Sequence, residues 1–437
     1  MDICLTASKI LETLLPDIKP DAQKAYCPSI YNQYCTTNQG MYLYNALSRR
    51  LVRLTDAEKT LLQQQTVSGD ALAAKPLIAK RFLVATDTDE AVHYAQLHAT
   101  QELFLSATDR GLELYRILPT TGCNARCFYC FEQGVEILNM NEDTADAVTD
   151  YIKRTHNPNK KIRLEWFGGE PLLRQSTVDQ ICTALNKANI AFYSTMTTNG
   201  SLVTPELVEK AKEIWHLDKV QITLDGVGEV HNRRKAYIAF PDAYGRTLET
   251  IRYLVAEGIG VTVRMNMDME NAESVYALYD HLRTQYRATD RIMFDPALLF
   301  DKHSDPQLRE QWVALRKKIW QDGFMKVPPL SNELPRWHCI ANSSAGAMIQ
   351  PDGILTTCEA GCSSMYYGNV RQGITDPERK KLWRNCTDIR EKCKTCPYLP
   401  ECTGFSLCPY EAADCRRSMA DTFAYRLVRT IQKYENP

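Results

Sequence analysis

Residues 112–130 read LELYRILPTTGCNARCFYC: an apolar run, a Pro-Thr-Thr-Gly stop, then Cys123, Cys127 and Cys130. The run predicts a strand, and the stop predicts a loop at its C-terminal end. A C-x3-C-x2-C triplet on one loop suits a metal centre, because three thiolates on a four-iron cubane leave one iron open to a further ligand. A zinc loop is the competing reading, and the strand-loop setting weighs against it.

Outward from that loop, residues 108–310 alternate strands with amphipathic helices. The strand-like runs are LELYRILPT, KIRLEWF, AFYSTMTT, VQITLDG, VTVRMNM and RIMFDPALL, separated by helical patterns such as EDTADAVTDYIKRT and STVDQICTALNKA. Six βα repeats with right-handed crossovers predict an α/β fold, a partial (β/α)6 barrel with its chemistry at the C-terminal strand ends. Cys123 follows the first strand, Gly168 to Pro171 the second, Asn199 the third and Asp225 the fourth.

Composition narrows the partners. The 437 residues carry a formal net charge of -1 and are 44% hydrophobic, so a large core is available and no basic field invites nucleic acid. No apolar window is long enough to cross a membrane, and MDICLTASKILETLLPDIKP lacks the positive start and cleavage site of a secretory signal, so a cytoplasmic location is expected. Sixteen cysteines in a reducing compartment then point to metal ligation, and nine of them follow residue 338. Cys4, Cys27, Cys35 and Cys182 read as ordinary buried thiols.

Three domains are expected, at residues 1–105, 106–310 and 311–437. In the first, SIYNQYC and MYLYNALSRRLVRL read as strands joined by a TTNQG hairpin turn, with helices at TDAEKTLLQQQ and TDEAVHYAQLHATQEL. It is either a cap on the barrel or a peptide-docking unit. The last hundred residues have few periodic runs before the helix at MADTFAYRLVRTIQKYE, so bound metal is expected to hold them in place of a large apolar core.

The triplet, together with FGGEP at Phe167 to Pro171, resembles the radical S-adenosylmethionine superfamily. That resemblance implies a 4Fe-4S cluster on Cys123, Cys127 and Cys130 whose open iron chelates S-adenosyl-L-methionine, with reductive cleavage giving a 5'-deoxyadenosyl radical that takes hydrogen from substrate. It further implies cofactor contacts at Tyr129, Gly168, Gly169, Glu170, Thr198, Asn199, Thr223, Arg264 and Asn266. His231 lies in the loop after the fourth strand, where Arg234 or Lys235 would meet the cofactor carboxylate. The glycines are expected to let backbone approach the cofactor ammonium.

The C-terminal cysteines resemble the SPASM pattern of auxiliary-cluster enzymes, and a zinc ribbon would account only for Cys393 and Cys396. By that resemblance one auxiliary cluster uses Cys393, Cys396, Cys402 and Cys415, and another Cys339, Cys358 and Cys408. The five-residue interval between Cys402 and Cys408 departs from the family's usual three. A fourth ligand for the second set is Cys386 or Cys362, or the site is open, and Cys386 is preferred. Three clusters would hold about twelve irons per chain. Glu359, next to Cys358, stands where sulfatase-maturing relatives place a carboxylate base, and a surface ion pair is the plain alternative.

The resemblance implies a peptide maturase. Such an enzyme would use an external one-electron reductant such as flavodoxin or ferredoxin to cross-link, through C-C or C-S bonds, a ribosomally made precursor whose leader docks on the N-terminal winged-helix-like α+β domain. The alternatives are an anaerobic sulfatase-maturing enzyme making formylglycine and a non-catalytic iron-sulfur electron carrier, the second disfavoured by FGGEP and TTNG.

Overall fold

The structure is a computed structural model that describes residues 2–5, 8–108, 111–238, 240–288, 290–299, 305–335, 339–359, 363–382, 389–402 and 418–436. Two compact units divide the chain. One gathers Met1–Thr108, Val327–Cys339 and Asn385–Pro437; the other is Asp109–Lys326 with Ile340–Arg384.

In the second unit six parallel strands lie side by side in chain order: Leu114–Thr120, Ile162–Gly168, Phe192–Thr198, Leu217–Thr223, Gly260–Met267 and Ile292–Leu298. All six coincide with strands expected from the sequence. Connecting helices start where side-chain oxygens can cap free amides. Asn141 accepts from the Thr144 N–H before Glu142–Thr155, and Thr204 accepts from the Leu207 N–H before Pro205–Glu213. Strand alternation then sorts the faces. Ile162, Leu164 and Trp166 join Val148, Ile152 and Ile181 of the helices in one core, while Arg163 and Glu165 remain partly exposed on the opposite face.

The sheet continues through a stretch that carries no periodic signal in sequence. Gly346–Ile349 pairs parallel to Leu114–Thr120, and Ile354–Thr356, Tyr366–Asn369 and Gly373–Ile374 follow antiparallel. Ala347, Ile349, Leu355, Tyr367 and Val370 belong to the main core, so this stretch does have apolar support, contrary to expectation. Strands of two to four residues are too short to display a period.

The first unit holds a four-stranded sheet in the order Asp2–Leu5, Arg50–Arg53, Gly40–Asn45, Asn32–Thr37, and a three-stranded one in the order Val67–Ser68, Ala25–Pro28, Leu83–Ala85. The expected hairpin is present, with Thr37 opposite Gly40. The run MYLYNALSRRLVRL, expected as one strand, is two. The Asn45 carboxamide oxygen accepts from the Leu47 and Ser48 amides, and Arg49 adopts a left-handed φ of 57°. An Asx turn thus breaks the strand. Tyr31, Tyr42 and Tyr44 share a core with Leu330, Leu334, Leu399, Phe423, Leu427 and Ile431.

Candidate functional site

The cysteine loop is closed at its base by two threonines. Thr120 Oγ1 accepts from the Gly122 N–H at 2.9 Å and donates to the Leu138 carbonyl, also at 2.9 Å, and Thr121 Oγ1 donates to the Glu136 carbonyl at 2.7 Å. Across the loop, the Arg126 N–H donates to the Lys235 carbonyl at 2.9 Å and the Ile238 N–H to the Asn124 carbonyl at 3.0 Å. Asn199 reaches in as well: its Nδ2 donates to Asn124 Oδ1 at 2.7 Å and lies 3.9 Å from Cys123 Sγ.

FGGEP lies directly against this loop. A Cβ on Gly169 would stand 2.2 Å from the Gly122 carbonyl oxygen, and one on Gly168, whose φ is +108°, would stand 2.3 Å from that of Thr120. The two glycines are therefore required by the approach of the chain to itself, a reason that sequence alone does not supply. Glu170 is fully buried and bridges two strand ends: Oε1 accepts from the Thr198 hydroxyl at 2.7 Å and Oε2 from the Asn199 N–H at 2.8 Å.

Beside the loop, Tyr129 donates its phenol to Asp225 and accepts from Asn266 Nδ2 at 3.2 Å. Asp225 is fully buried, and among the described residues its Oδ1 has no hydrogen-bond partner. Arg264 is drawn to Asp295 at 2.8 Å, and Thr223, half-buried, ends the adjoining strand. Asp225 and Asp295 were not among the expected contacts; the Asp-Gly step ending VQITLDG was the available signal for Asp225.

Arg234 and Lys235 differ in their surroundings. Arg234 is committed, with its two Nη atoms 3.3 and 2.7 Å from the Asp268 oxygens and its guanidinium 4.9 Å from the Phe128 ring centre. Lys235 is buried and makes no side-chain hydrogen bond or ion pair among the described residues, with its Nζ 5.6 Å from the Tyr129 ring centre. Burial pushes its pKa down, but Tyr129, Asp225, Cys127 and Tyr237 outweigh that and hold it well above the ordinary lysine value. His231 is also buried; its Nδ1 accepts from the Asp225 N–H at 3.2 Å, and burial, helped by Lys235, pushes its pKa down to about 3.

Glu359 sits in a charge network the sequence did not disclose. Its Oε2 accepts from Arg116 Nη1 at 3.0 Å, Arg116 Nε donates to Glu165 at 2.8 Å, and Arg163 lies 2.6 Å from Glu165. Burial, then the charge of Glu359, push Glu132 up to about 7.

Of the expected auxiliary ligands, Cys358 is buried, Cys339 exposed, and Cys393, Cys396 and Cys402 half-buried. Cys339 falls in the first unit and Cys358 in the second. Cys386, Cys408 and Cys415, and the alternative Cys362, lie outside the described residues. Cys182 is buried as expected, whereas Cys27 and Cys35 are half-buried.

The site's residues fit a loop-held iron-sulfur cluster. Three thiols come from one short loop, and burial pushes the Cys123 thiol up to about 11, so a cation must displace its proton to be ligated. Among the described residues no three His, Cys, Asp or Glu gather as they would around one ion, which a cubane does not require because its thiolates bind separate irons. No helix of the described residues is long and apolar enough to cross a membrane.

The Radical SAM superfamily model matches residues 117–282. The chain is 30% identical to "Probable GTP 3',8-cyclase" of Saccharolobus islandicus, over 57% of this chain and 83% of that protein. It is 21% identical to "Radical SAM cyclopropyl synthase TigE" of Paramaledivibacter caminithermalis, over 92% of this chain and 89% of that one. To "Fe-coproporphyrin III synthase" of Methanosarcina barkeri it is 27% identical, but spans only 40% of that relative's length. Among solved structures, anSMEcpe with bound AdoMet aligns with a TM-score of 0.57 at 16% identity, covering 74% of this chain and 100% of that one. Streptococcus suis SuiB aligns with a TM-score of 0.51 at 16% identity, covering 92% and 98%. At such identities the structures show the fold alone.

Proposed function

The chain belongs to the radical SAM superfamily, and from that premise we propose that it is a peptide maturase that oxidatively cross-links a ribosomally made precursor. Membership implies a 4Fe-4S cluster and S-adenosylmethionine, which together supply a hydrogen-abstracting radical when bound. Cys123, Cys127 and Cys130 would hold the cluster. Gly168 and Gly169 set the backbone beside it, Tyr129, Thr223 and Asn266 line the cofactor, and Lys235 meets its carboxylate.

The observation that carries the radical chemistry is the close packing of Gly169 on the cysteine loop. Support for a peptide substrate comes from SuiB, which has been solved with its precursor peptide SuiA. In this reading residues 1–105 recognise the leader as a winged-helix-like unit, 106–310 run the radical step and 311–437 carry two auxiliary SPASM clusters, for three in all. In the oxidative outcome Glu359 would take the proton and a cluster on residues 311–437 the electron that the substrate radical gives up, while a flavodoxin or ferredoxin in the cytoplasm would supply the separate electron that starts each turnover.

Formylglycine formation is the second reading, favoured by anSMEcpe, which has been solved with the Cp18Cys peptide. Anaerobic co-expression with short open reading frames beside the gene, followed by high-resolution mass spectrometry, separates the two. A loss of two hydrogen masses that disappears in Cys127→Ala supports cross-linking. Conversion of a Cys-bearing sulfatase peptide to the aldehyde, with no change in any neighbouring peptide, overturns it.

A further inference from the structure

The first unit contains a cavity of about 320 Å³ that the radical chemistry does not use. Its walls come from the segment after helix Lys9–Leu14, from Ala25–Pro28 and Leu83–Ala85, and from the start of helix Glu90–Thr108. That volume is at the small end of ligand-sized pockets.

The wall is rich in donors and poor in free acceptors. Lys19, Lys24, Thr88 and His93 line it, and among the described residues none of their side chains makes a hydrogen bond or ion pair. Arg81 lines it too. One of its Nη atoms donates to the Pro16 carbonyl at 3.1 Å, while its buried Nε has no hydrogen-bond partner among the described residues. Of the two carboxylates on the wall, the buried Glu90 is engaged through both oxygens and the exposed Asp21 through one. Glu90 accepts from the Ser29 hydroxyl at 2.5 Å and the Ile30 N–H at 2.8 Å, and Asp21 Oδ1 accepts from the Gln23 N–H at 2.9 Å. Asp17, the next carboxylate beyond the wall, is shared by Arg50 and Lys80.

Lys19, Lys24 and Thr88 are exposed and hydrated, so the unmet donor of this wall is the buried Arg81 Nε; an anionic acceptor is favoured because three permanent cations face two carboxylates, of which Glu90 is already engaged. The remaining lining is apolar, from Ile18, the Tyr26 ring, Leu47 and Val84. We propose that this cavity binds an acidic side chain of a peptide together with an apolar neighbour, Arg81 and Lys24 holding the carboxylate while Leu47 and Val84 cover the apolar group. The choice of a peptide over a free carboxylate rests on the peptide-maturase reading above.

The test uses the full chain, reconstituted anaerobically, and a fluorescein-labelled pentapeptide amide, Ala-Leu-Glu-Leu-Ala, with its Gln counterpart, read by fluorescence anisotropy. The acidic peptide should bind about tenfold tighter than the Gln peptide, the worth of a charge-assisted hydrogen bond. Arg81→Asn should abolish that preference; asparagine suits the left-handed φ of 65° at this position, so the backbone is spared. Lys24→Gln should weaken the acidic peptide alone, and the surface control Lys187→Gln should change nothing.

Equal binding of the two peptides, or an undiminished preference in Arg81→Asn, overturns the site. Free glutarate that displaces the peptide at the peptide's own dissociation constant also overturns it, in favour of a small-molecule pocket. If any of these outcomes accompanies modification of a precursor by the same preparation, the cavity assignment falls and the peptide function stands. Arg81-dependent acidic binding with no peptide ever modified leaves the cavity standing and removes the function.

Discussion

Arg49 and Glu401 form an ion pair in which both side chains are fully buried, 352 residues apart in sequence. Each member has further partners. Arg49 Nε and Nη2 donate to the Ser331 carbonyl at 3.0 and 2.8 Å, while Glu401 also accepts from the Tyr44 hydroxyl and from Arg426 Nη1, each at 3.1 Å. Removing one partner leaves the other buried and charged, so Arg49→Met should destabilise the first unit by about 3–5 kcal/mol. Hydrogen exchange of first-unit peptides across a urea series checks this, and a midpoint unchanged from wild type would refute it. Because Cys402 follows Glu401, the same variant should bind less auxiliary iron if Cys402 is a cluster ligand.

Gly169→Ala offers a sharper test of the cysteine loop. Its methyl would lie 2.2 Å from the Gly122 carbonyl oxygen, against backbone that cannot swing aside. Gly134, with a φ of +78° and nothing within 4 Å of an added methyl, is the fitting comparison, costing only about 1–2 kcal/mol of backbone strain. After reconstitution Gly134→Ala should keep the iron absorbance of the wild type, and Gly169→Ala should lose that of the first cluster. Equal iron in both would show that the loop does not depend on this approach.

The strands and the cysteine loop were legible because their signals are local. Leu114–Thr120 and its five parallel successors show alternation or apolar runs, and Cys123, Cys127 and Cys130 lie within eight residues. What could not be read depends on long-range geometry. Arg116 and Glu359 meet across 243 residues, and no property of either residue announces the other. The break at Arg49 was hidden because its cause, the Asn45 side chain turning back on the Leu47 and Ser48 amides, competes with strong flanking β propensity. Arg234 and Lys235 were indistinguishable as neighbours in sequence until Asp268 was placed beside the first.

That distinction predicts opposite phenotypes. Lys235→Met should weaken S-adenosylmethionine binding by about tenfold or more, as loss of a charged contact would, and leave folding largely intact. Arg234→Met strands Asp268, which is 4% exposed, so it should lower stability first. Equilibrium dialysis on reconstituted protein, paired with thermal unfolding, separates the two. Wild-type affinity in Lys235→Met would reassign the carboxylate contact.

His231 should make the protein sensitive to acid. Its folded pKa, about 3, lies below the ordinary 6.5, so its contribution to stability is present above pH 6.5 and is lost as pH falls from there toward 3. The slope from this one group is at most about 1.4 kcal/mol per pH unit. His231→Gln should flatten that part of the stability profile, measured by urea midpoints between pH 7 and about pH 4. An equally steep profile in the variant would place the acid sensitivity elsewhere.

Glu359 is the residue on which the proposed outcome turns. Held by Arg116 at 3.0 Å and still 26% exposed, its carboxylate is fixed in place yet reachable, as a base must be. Glu359→Gln keeps the size and can still hydrogen-bond, so formation of 5'-deoxyadenosine should persist while product falls by about a hundredfold or more. Arg116→Lys should keep some product with a shifted pH profile, because a lysine retains the charge but not the forked contact to Glu165 and Glu359 together. If Glu359→Gln lowers only the unfolding temperature and product forms at the wild-type rate, Glu359 is an ion-pair partner of Arg116 and the base is another group. Glu132, which Glu359 itself helps to keep protonated near neutral pH, is then the carboxyl to substitute next.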